Sequence, residues 1–81
     1  MAEKRVAIVT GAGSGIGKSA SLALLKDGYC VGLVGRRRDM LEKTAAESAA
    51  GARALVLAAD ITQDADVEKV FSEVMARFGR L

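Results

Sequence analysis

Four glycines alternate with other residues over positions 10–17, which read Thr-Gly-Ala-Gly-Ser-Gly-Ile-Gly. A continuously apolar run, residues 6–9, precedes them and a helical pattern follows, so the glycines lie in a turn between a strand and a helix. The first backbone N–H groups of a helix lack internal partners and lie at the positive end of its dipole, which favours an anion there. The backbone amides between residues 11 and 17 are therefore predicted to bind a diphosphate.

Three of these glycines have separate roles in this prediction. Gly11 permits the tight turn, Gly15 lets the backbone approach a pyrophosphate, and Gly17 lets the new helix pack close to the strand. The predicted binding loop also includes the positions between them: Gly13, Ser14 and Ile16.

Two alternatives stay open for this loop. A glycine-rich turn without any ligand has the same pattern. Residues 12–19 also come within one residue of the phosphate-binding loop of nucleoside triphosphatases, which has glycine where Ala12 stands. That loop also needs a Lys-Ser pair, which Lys18 and Ser19 supply, and Asp60 would then be the aspartate that holds magnesium. The remainder of the chain has to decide between these hypotheses.

The composition limits the size of the fold and the class of partner. The chain has 81 residues, 51% of them hydrophobic, and no proline, which excludes a disordered chain and leaves room for one small domain or part of a larger one. The net charge is only +2, and the basic residues are spread along the chain apart from a run at 36–38. Neither nucleic acid nor a membrane is therefore expected as a partner.

The chain has one cysteine, Cys30, and no histidine. No internal disulfide is possible and no metal site is predicted, so the cytoplasm is the expected location. Cys30 is interpreted as a small buried residue, with a reactive thiol as the alternative, because no base or positive helix end is evident beside it. No apolar run reaches the length of a membrane span, and the first four residues lack the pattern of a signal peptide.

The apolar runs and helical patterns alternate along the whole chain. Strands are predicted over 5–10, 31–34 and 54–59, and helices over 16–26, over 38–50 and from an N-cap at Thr62 to Phe78. This order predicts an α/β fold with right-handed crossovers, the first half of a Rossmann-type doubly wound parallel sheet with strand order 3-2-1. The first two helices would cover one face of the sheet and the third helix the other.

The third helix has the clearest apolar stripe. Its members recur at spacings of three and four: Val67, Val70, Phe71, Val74, Met75 and Phe78. A half sheet of three strands can cover only part of this stripe. Residues 1–81 are therefore expected to be the amino-terminal portion of a single dinucleotide-binding domain, truncated before a fourth strand.

Three motifs carry a resemblance to a known family, and together they span essentially the whole chain. The loop Thr10-Gly11-x-x-x-Gly15-Ile16-Gly17 resembles the cofactor loop of the short-chain dehydrogenase/reductase family. Residues 60–62, Asp-Ile-Thr, resemble that family's adenine pocket, and residues 78–81, Phe-Gly-Arg-Leu, resemble its lead-in to a fourth strand.

The resemblance implies an oxidoreductase that transfers a hydride between a nicotinamide cofactor and an alcohol or carbonyl substrate. The glycine loop would bind the pyrophosphate of the cofactor. The Asp60 carboxylate would accept a hydrogen bond from the adenine amino group, and the Ile61 backbone N–H would donate to the ring. An aspartate facing solvent at the start of a helix is the alternative for Asp60. Relatives are usually dimers or tetramers, so a homo-oligomer is expected.

The end of the second strand indicates which dinucleotide binds. An acid about twenty residues beyond the loop would bind the ribose 2′-hydroxyl of NAD, but this chain has Gly35 followed by Arg36. A guanidinium can bind a 2′-phosphate through paired hydrogen bonds, which favours NADP over NAD. Arg36 is the first choice, Arg37 the second, and Arg38 is expected in solvent. Two points oppose this: Ser14 stands where many NADP-preferring relatives are basic, and a charged turn without a ligand has the same residues.

No catalytic residue is predicted. The resemblance implies proton relay through a Tyr-x-x-x-Lys pair. In this chain, however, the only tyrosine is Tyr29, and the fourth residue after it is Leu33. The leading hypothesis is therefore the NADP(H)-binding half of an oxidoreductase. A non-catalytic NADP-binding module and a nucleoside triphosphatase are the alternatives.

Overall fold

The computed structural model describes residues 5–79, in which three parallel strands alternate with three helices. The elements are β1 (Val6–Thr10), α1 (Gly15–Lys26), β2 (Cys30–Gly35), α2 (Arg38–Ser48), β3 (Ala54–Ala58) and α3 (Asp64–Phe78), with a short 3₁₀ turn, Gly51–Arg53, before β3. The predicted order of elements is confirmed. The expected lead-in to a fourth strand includes Arg80 and Leu81, which lie outside the described residues.

The sheet has β2 at its centre and β1 and β3 on either side of it. All pairing is parallel, with Val9 opposite Leu33 and Leu33 opposite Val56. Parallel neighbours need long crossovers, which α1 and α2 supply. The predicted strand order and α/β class are confirmed, and the carboxyl ends of the three strands meet at one edge of the sheet.

The two faces of β2 belong to separate apolar clusters because successive side chains of a strand point to opposite faces. Val31 and Leu33 pack with residues of α1 and α2, whereas Cys30 and Val34 pack with α3. The prediction that α3 covers the opposite face is confirmed. Cys30 is a buried free cysteine within this second cluster, as its interpretation requires.

Gly32 in the middle of β2 is explained by the close approach of α3. A Cβ at this position would lie 3.1 Å from the Cγ2 atom of Val74. A larger residue would push α3 away from the sheet, so the glycine keeps this helix in contact with β2.

The carboxyl end of α2 differs from the prediction. The helix ends at Ser48, and Ala49 takes the left-handed conformation with φ of 53°. The Ser48 hydroxyl donates to the Ala45 carbonyl at 2.6 Å and accepts from the Ala50 N–H at 3.2 Å. Side chains of this type compete with the helix for backbone groups, which explains why α2 stops before the expected Gly51.

The prediction of Thr62 as the N-cap of α3 is wrong. The N-cap is Gln63, and its side chain makes no capping hydrogen bond. Both the backbone N–H and the hydroxyl of Thr62 donate to the Asp60 carboxylate instead. The third strand likewise ends one residue earlier than expected, at Ala58.

Candidate functional site

Two adjoining clefts lie where the strands end, and both are lined by Gly11, Gly35 and Arg36. The loop cleft, of about 310 Å³, is completed by residues of the glycine loop and the start of α2: Gly13, Ser14, Arg37, Met40 and Leu41. The strand-end cleft, of about 340 Å³, is completed by residues at or beyond the ends of the three strands: Thr10, Val34, Ala59, Ile61 and Thr62. The fold therefore brings the first, second and third strand ends together at one site.

The glycine loop has the backbone conformations that its predicted turn requires. Gly11 and Gly15 have φ of 65° and 58°, in the left-handed region that favours glycine. A Cβ at Gly15 would meet no atom within 4 Å, so the space beside its backbone is open. A Cβ at Gly17 would overlap the carbonyl oxygen of Gly11, so only glycine lets α1 begin this close to the turn.

The backbone amides of residues 13–17 donate to no protein acceptor within the described chain. Ser14 is the N-cap of α1 and makes no capping hydrogen bond through its side chain. The amide of Ala12 is different, because it donates to the Val34 carbonyl at 3.1 Å. Ala12 is therefore excluded from the predicted set of donors, residues 11–17, and the amides of residues 13–17 remain available to an anion.

Two hydroxyl groups donate to carbonyl oxygens of the loop, and neither role was predicted from the sequence. The Thr44 Oγ1 donates to the Ala12 carbonyl at 2.9 Å, and the Ser21 hydroxyl donates to the Gly17 carbonyl at 2.8 Å. Thr44 and Ser21 are both fully buried. The signal for Thr44 was its polar side chain in the inward stripe of α2, because a buried hydroxyl needs a partner.

The three arginines that follow β2 lie in different surroundings. The Arg36 side chain remains 72% exposed, and one guanidinium nitrogen lies 3.5 Å from the Oδ1 atom of Asp60. Arg37 is the extended N-cap of α2 and lines the loop cleft, whereas Arg38 is the exposed first residue of that helix and lines neither cleft. Exposed ion pairs contribute little free energy, so the Arg36 side chain can leave Asp60 for another anion.

Asp60 is held by its own turn. Its Oδ1 accepts from the Thr62 hydroxyl at 2.6 Å and from the Thr62 N–H at 2.9 Å, while its own N–H donates to Asp66 at 2.8 Å. These hydrogen bonds from Thr62, with the nearby Arg36 guanidinium, hold the pKa of the Asp60 carboxyl below its ordinary value. The contacts described for this carboxylate within residues 5–79 all involve Oδ1, so Oδ2 is left to accept from a ligand.

The side chains that a nucleoside triphosphatase would need are engaged elsewhere. The Lys18 ammonium forms an ion pair with Glu47 on α2, and Asp60 is bound by Thr62 and Arg36. Residues 5–79 contain no cluster of three His, Cys, Asp or Glu side chains that could hold a metal ion.

Over the same residues, every helix is too short or too polar to cross a lipid bilayer.

Known proteins with related sequences and folds are consistent with this geometry. A short-chain dehydrogenase/reductase of Armillaria gallica is 36% identical over 84 residues, which cover all of this chain and 32% of that protein. The 11-beta-hydroxysteroid dehydrogenase A of Sesamum indicum is 38% identical over 79 residues, which cover 95% of this chain and 23% of that protein. The chain therefore spans less than one third of each relative.

A solved structure shows the same fold. The crystal structure of 3-ketoacyl-(acyl-carrier-protein) reductase from Brucella melitensis complexed with NADH has a TM-score of 0.89 and 38% identity, and the similarity covers 98% of this chain and 32% of that one. The family model described as short chain dehydrogenase matches residues 5–81. With its strand order, its glycine loop and this match over nearly its whole length, the chain belongs to the short-chain dehydrogenase/reductase family.

Proposed function

We propose that this chain is the NADP(H)-binding half of an oxidoreductase that transfers a hydride between a nicotinamide cofactor and an alcohol or carbonyl substrate. The observation that carries the proposal is the set of free amides at residues 13–17, which lies at the same sheet edge as Arg36 and Asp60. A dinucleotide has an anionic centre and an adenosine end. This edge of the sheet offers the loop amides to the anionic centre and the two clefts to the adenosine end.

The pyrophosphate would bind the amides of residues 13–17 at the start of α1. The helix dipole adds to their attraction, and the open space beside Gly15 admits a phosphate close to the backbone. The Ile16 side chain next to these donors is 89% exposed. A bound dinucleotide would cover this apolar side chain, which supports placing the cofactor over the loop.

The adenosine end would lie between Arg36 and Asp60. The ionised Asp60 carboxylate would accept from the adenine amino group through Oδ2. The backbone N–H of Ile61, a residue that lines the strand-end cleft, would donate to the ring. Arg36 would bind a 2′-phosphate, with Arg37 as the second cation of the loop cleft. Gly35 brings no carboxylate to repel that phosphate, so we favour NADP, with NAD as the weaker ligand.

The chemistry supplied by the bound cofactor is the donation or acceptance of a hydride at its nicotinamide ring. This chain would bind and orient the cofactor, and its described residues contain no Tyr-x-x-x-Lys pair for proton transfer. We further propose that residues 1–81 form the amino-terminal portion of one dinucleotide-binding domain. Phe71 and Met75 on α3, 45% and 47% exposed, support this because they leave part of the apolar stripe uncovered. A small-molecule substrate, a homo-oligomer and a cytoplasmic location stay predictions.

Cofactor titration of the full-length protein tests the proposal. NADPH binding is followed by its fluorescence, NADH binding in the same way, and MgATP binding by calorimetry. We expect NADPH to bind at least about tenfold more tightly than NADH, a difference of about 1.4 kcal/mol. Magnesium-dependent ATP binding, or no binding of either dinucleotide, would contradict the proposed function. Equal affinity for the two dinucleotides would contradict only the preference for NADP.

A further inference from the structure

Thr44 on α2 makes a contact with the glycine loop that spans 32 residues of sequence. Its Oγ1 lies 2.9 Å from the Ala12 carbonyl oxygen and 3.3 Å from the Met40 carbonyl oxygen of its own helix. A threonine hydroxyl has a single hydrogen to donate, and the shorter distance assigns it to Ala12. Thr44 and Ala12 are both fully buried, so water does not replace this hydrogen bond.

The bond to Ala12 sets the direction of the next amide. The Ala12 carbonyl and the Gly13 N–H belong to one planar trans peptide group, in which they point in opposite directions. Because the carbonyl points at Thr44, the Gly13 N–H points away from α2. The peptide group before Ala12 is held as well, since the Ala12 N–H donates to the Val34 carbonyl.

Within the described chain, the Thr44 hydroxyl lies at hydrogen-bond distance only from the Ala12 and Met40 carbonyl oxygens. It lies among the apolar residues that α2 packs against the sheet, such as Leu41, where a valine of nearly the same shape would avoid burying a hydroxyl. The Gly13 N–H that it orients is one of the amides without a protein acceptor in the described chain. The hydroxyl therefore acts on a group that is available to a ligand.

We infer that Thr44 is a positioning residue, whose hydroxyl aims the Gly13 amide at the pyrophosphate of the bound dinucleotide. The inference rests on the proposed function and adds to it a residue on α2 that lines neither cleft. A ligand that has a pyrophosphate depends on this orientation, whereas a ligand held only at the adenosine end does not.

The test compares two ligands and three variants of the full-length protein. NADP⁺ contains the pyrophosphate, and 2′-AMP contains only the adenosine and the 2′-phosphate. We expect Thr44→Val to weaken NADP⁺ binding by about tenfold and to leave 2′-AMP binding within about twofold of wild type. Thr44→Ser keeps the hydroxyl and is expected to restore NADP⁺ binding. Ser48→Ala is the matched control, because this α2 hydroxyl donates within its own helix, and it should change neither affinity.

The possible failures are distinguishable. No binding of NADP⁺ by the wild-type protein overturns the proposed function and this inference together. Unchanged NADP⁺ binding by Thr44→Val, or an equal loss for both ligands, overturns the role of Thr44 and leaves the proposed function standing. Should Thr44→Val fail to fold, amide NMR of the wild-type protein decides: the Gly13 resonance must shift with NADP⁺ and stay in place with 2′-AMP.

Discussion

The loop after β1 and the turn after β3 lie at the same edge of the sheet but use their backbone donors in opposite ways. In the glycine loop, the amides of residues 13–17 have no protein acceptor within the described chain, while the loop's carbonyls at Ala12 and Gly17 are held by hydroxyls. In the β3 turn, the amides of Asp60 and Thr62 both donate to carboxylates of the protein.

The difference indicates where an anion can bind. Donors that are already bonded to carboxylates offer nothing to a phosphate, and Asp60 adds a negative charge of its own. The glycine loop instead has amides without a protein acceptor in the described chain, at the positive end of α1. The β1 loop is therefore suited to the diphosphate and the β3 turn to a neutral group such as adenine, with Arg36 between them.

The largest expected effect is that of Gly17→Ala, which disturbs the glycine loop. The added Cβ would overlap the Gly11 carbonyl oxygen, so the start of α1 must move and carry its amides with it. We expect NADPH binding to weaken on the order of a hundredfold, about 2.7 kcal/mol. Ser19→Ala is the control, an exposed position of α1 that should leave binding unchanged. NADPH affinity that survives Gly17→Ala would show that the loop amides do not bind the cofactor.

An intermediate effect is expected for Arg36→Ala, which removes the cation between the two regions. NADPH binding should weaken by at least about tenfold, or about 1.4 kcal/mol, and NADH binding by less, because only NADPH has the 2′-phosphate. Arg38→Ala is the matched control, since Arg38 is exposed and lines neither cleft. Parallel fluorescence titrations measure both cofactors. Equal losses would remove Arg36 from 2′-phosphate recognition.

The smallest expected effect is on the pH dependence of stability, through the hydrogen bonds of the β3 turn. Because the folded-state pKa of Asp60 is lowered from 3.8, its ionised form stabilises the fold above that pH, and this contribution is lost as the pH falls through the folded-state pKa. Thr62→Ala removes the largest cause of the shift, so the variant should be less stable at neutral pH by a difference that shrinks in acid. Circular dichroism during acid unfolding measures this, with Ser72→Ala on the exposed face of α3 as control. A difference that grows in acid would contradict the lowered pKa.

Much of the fold could be predicted because its signals are local. The apolar runs predicted the three strands, and the doubly wound topology predicted α3 on the face opposite α1 and α2. The strand order was predicted from the Rossmann-type doubly wound pattern. The ends of the elements were harder to predict. The end of α2 depends on the hydrogen bonds of the Ser48 hydroxyl, and the Thr62 hydroxyl bonds to Asp60 instead of capping α3.

By itself, the sequence determined the glycine loop, the order of strands and helices, and the residue types at each strand end, because each of these depends on neighbours a few positions away. Only the tertiary structure decided that Ala12 donates to Val34, that Thr44 reaches the loop across 32 residues, and that Arg36 meets Asp60. Those contacts join segments that are distant in sequence, and they exist because parallel pairing brings the carboxyl ends of three strands to one edge.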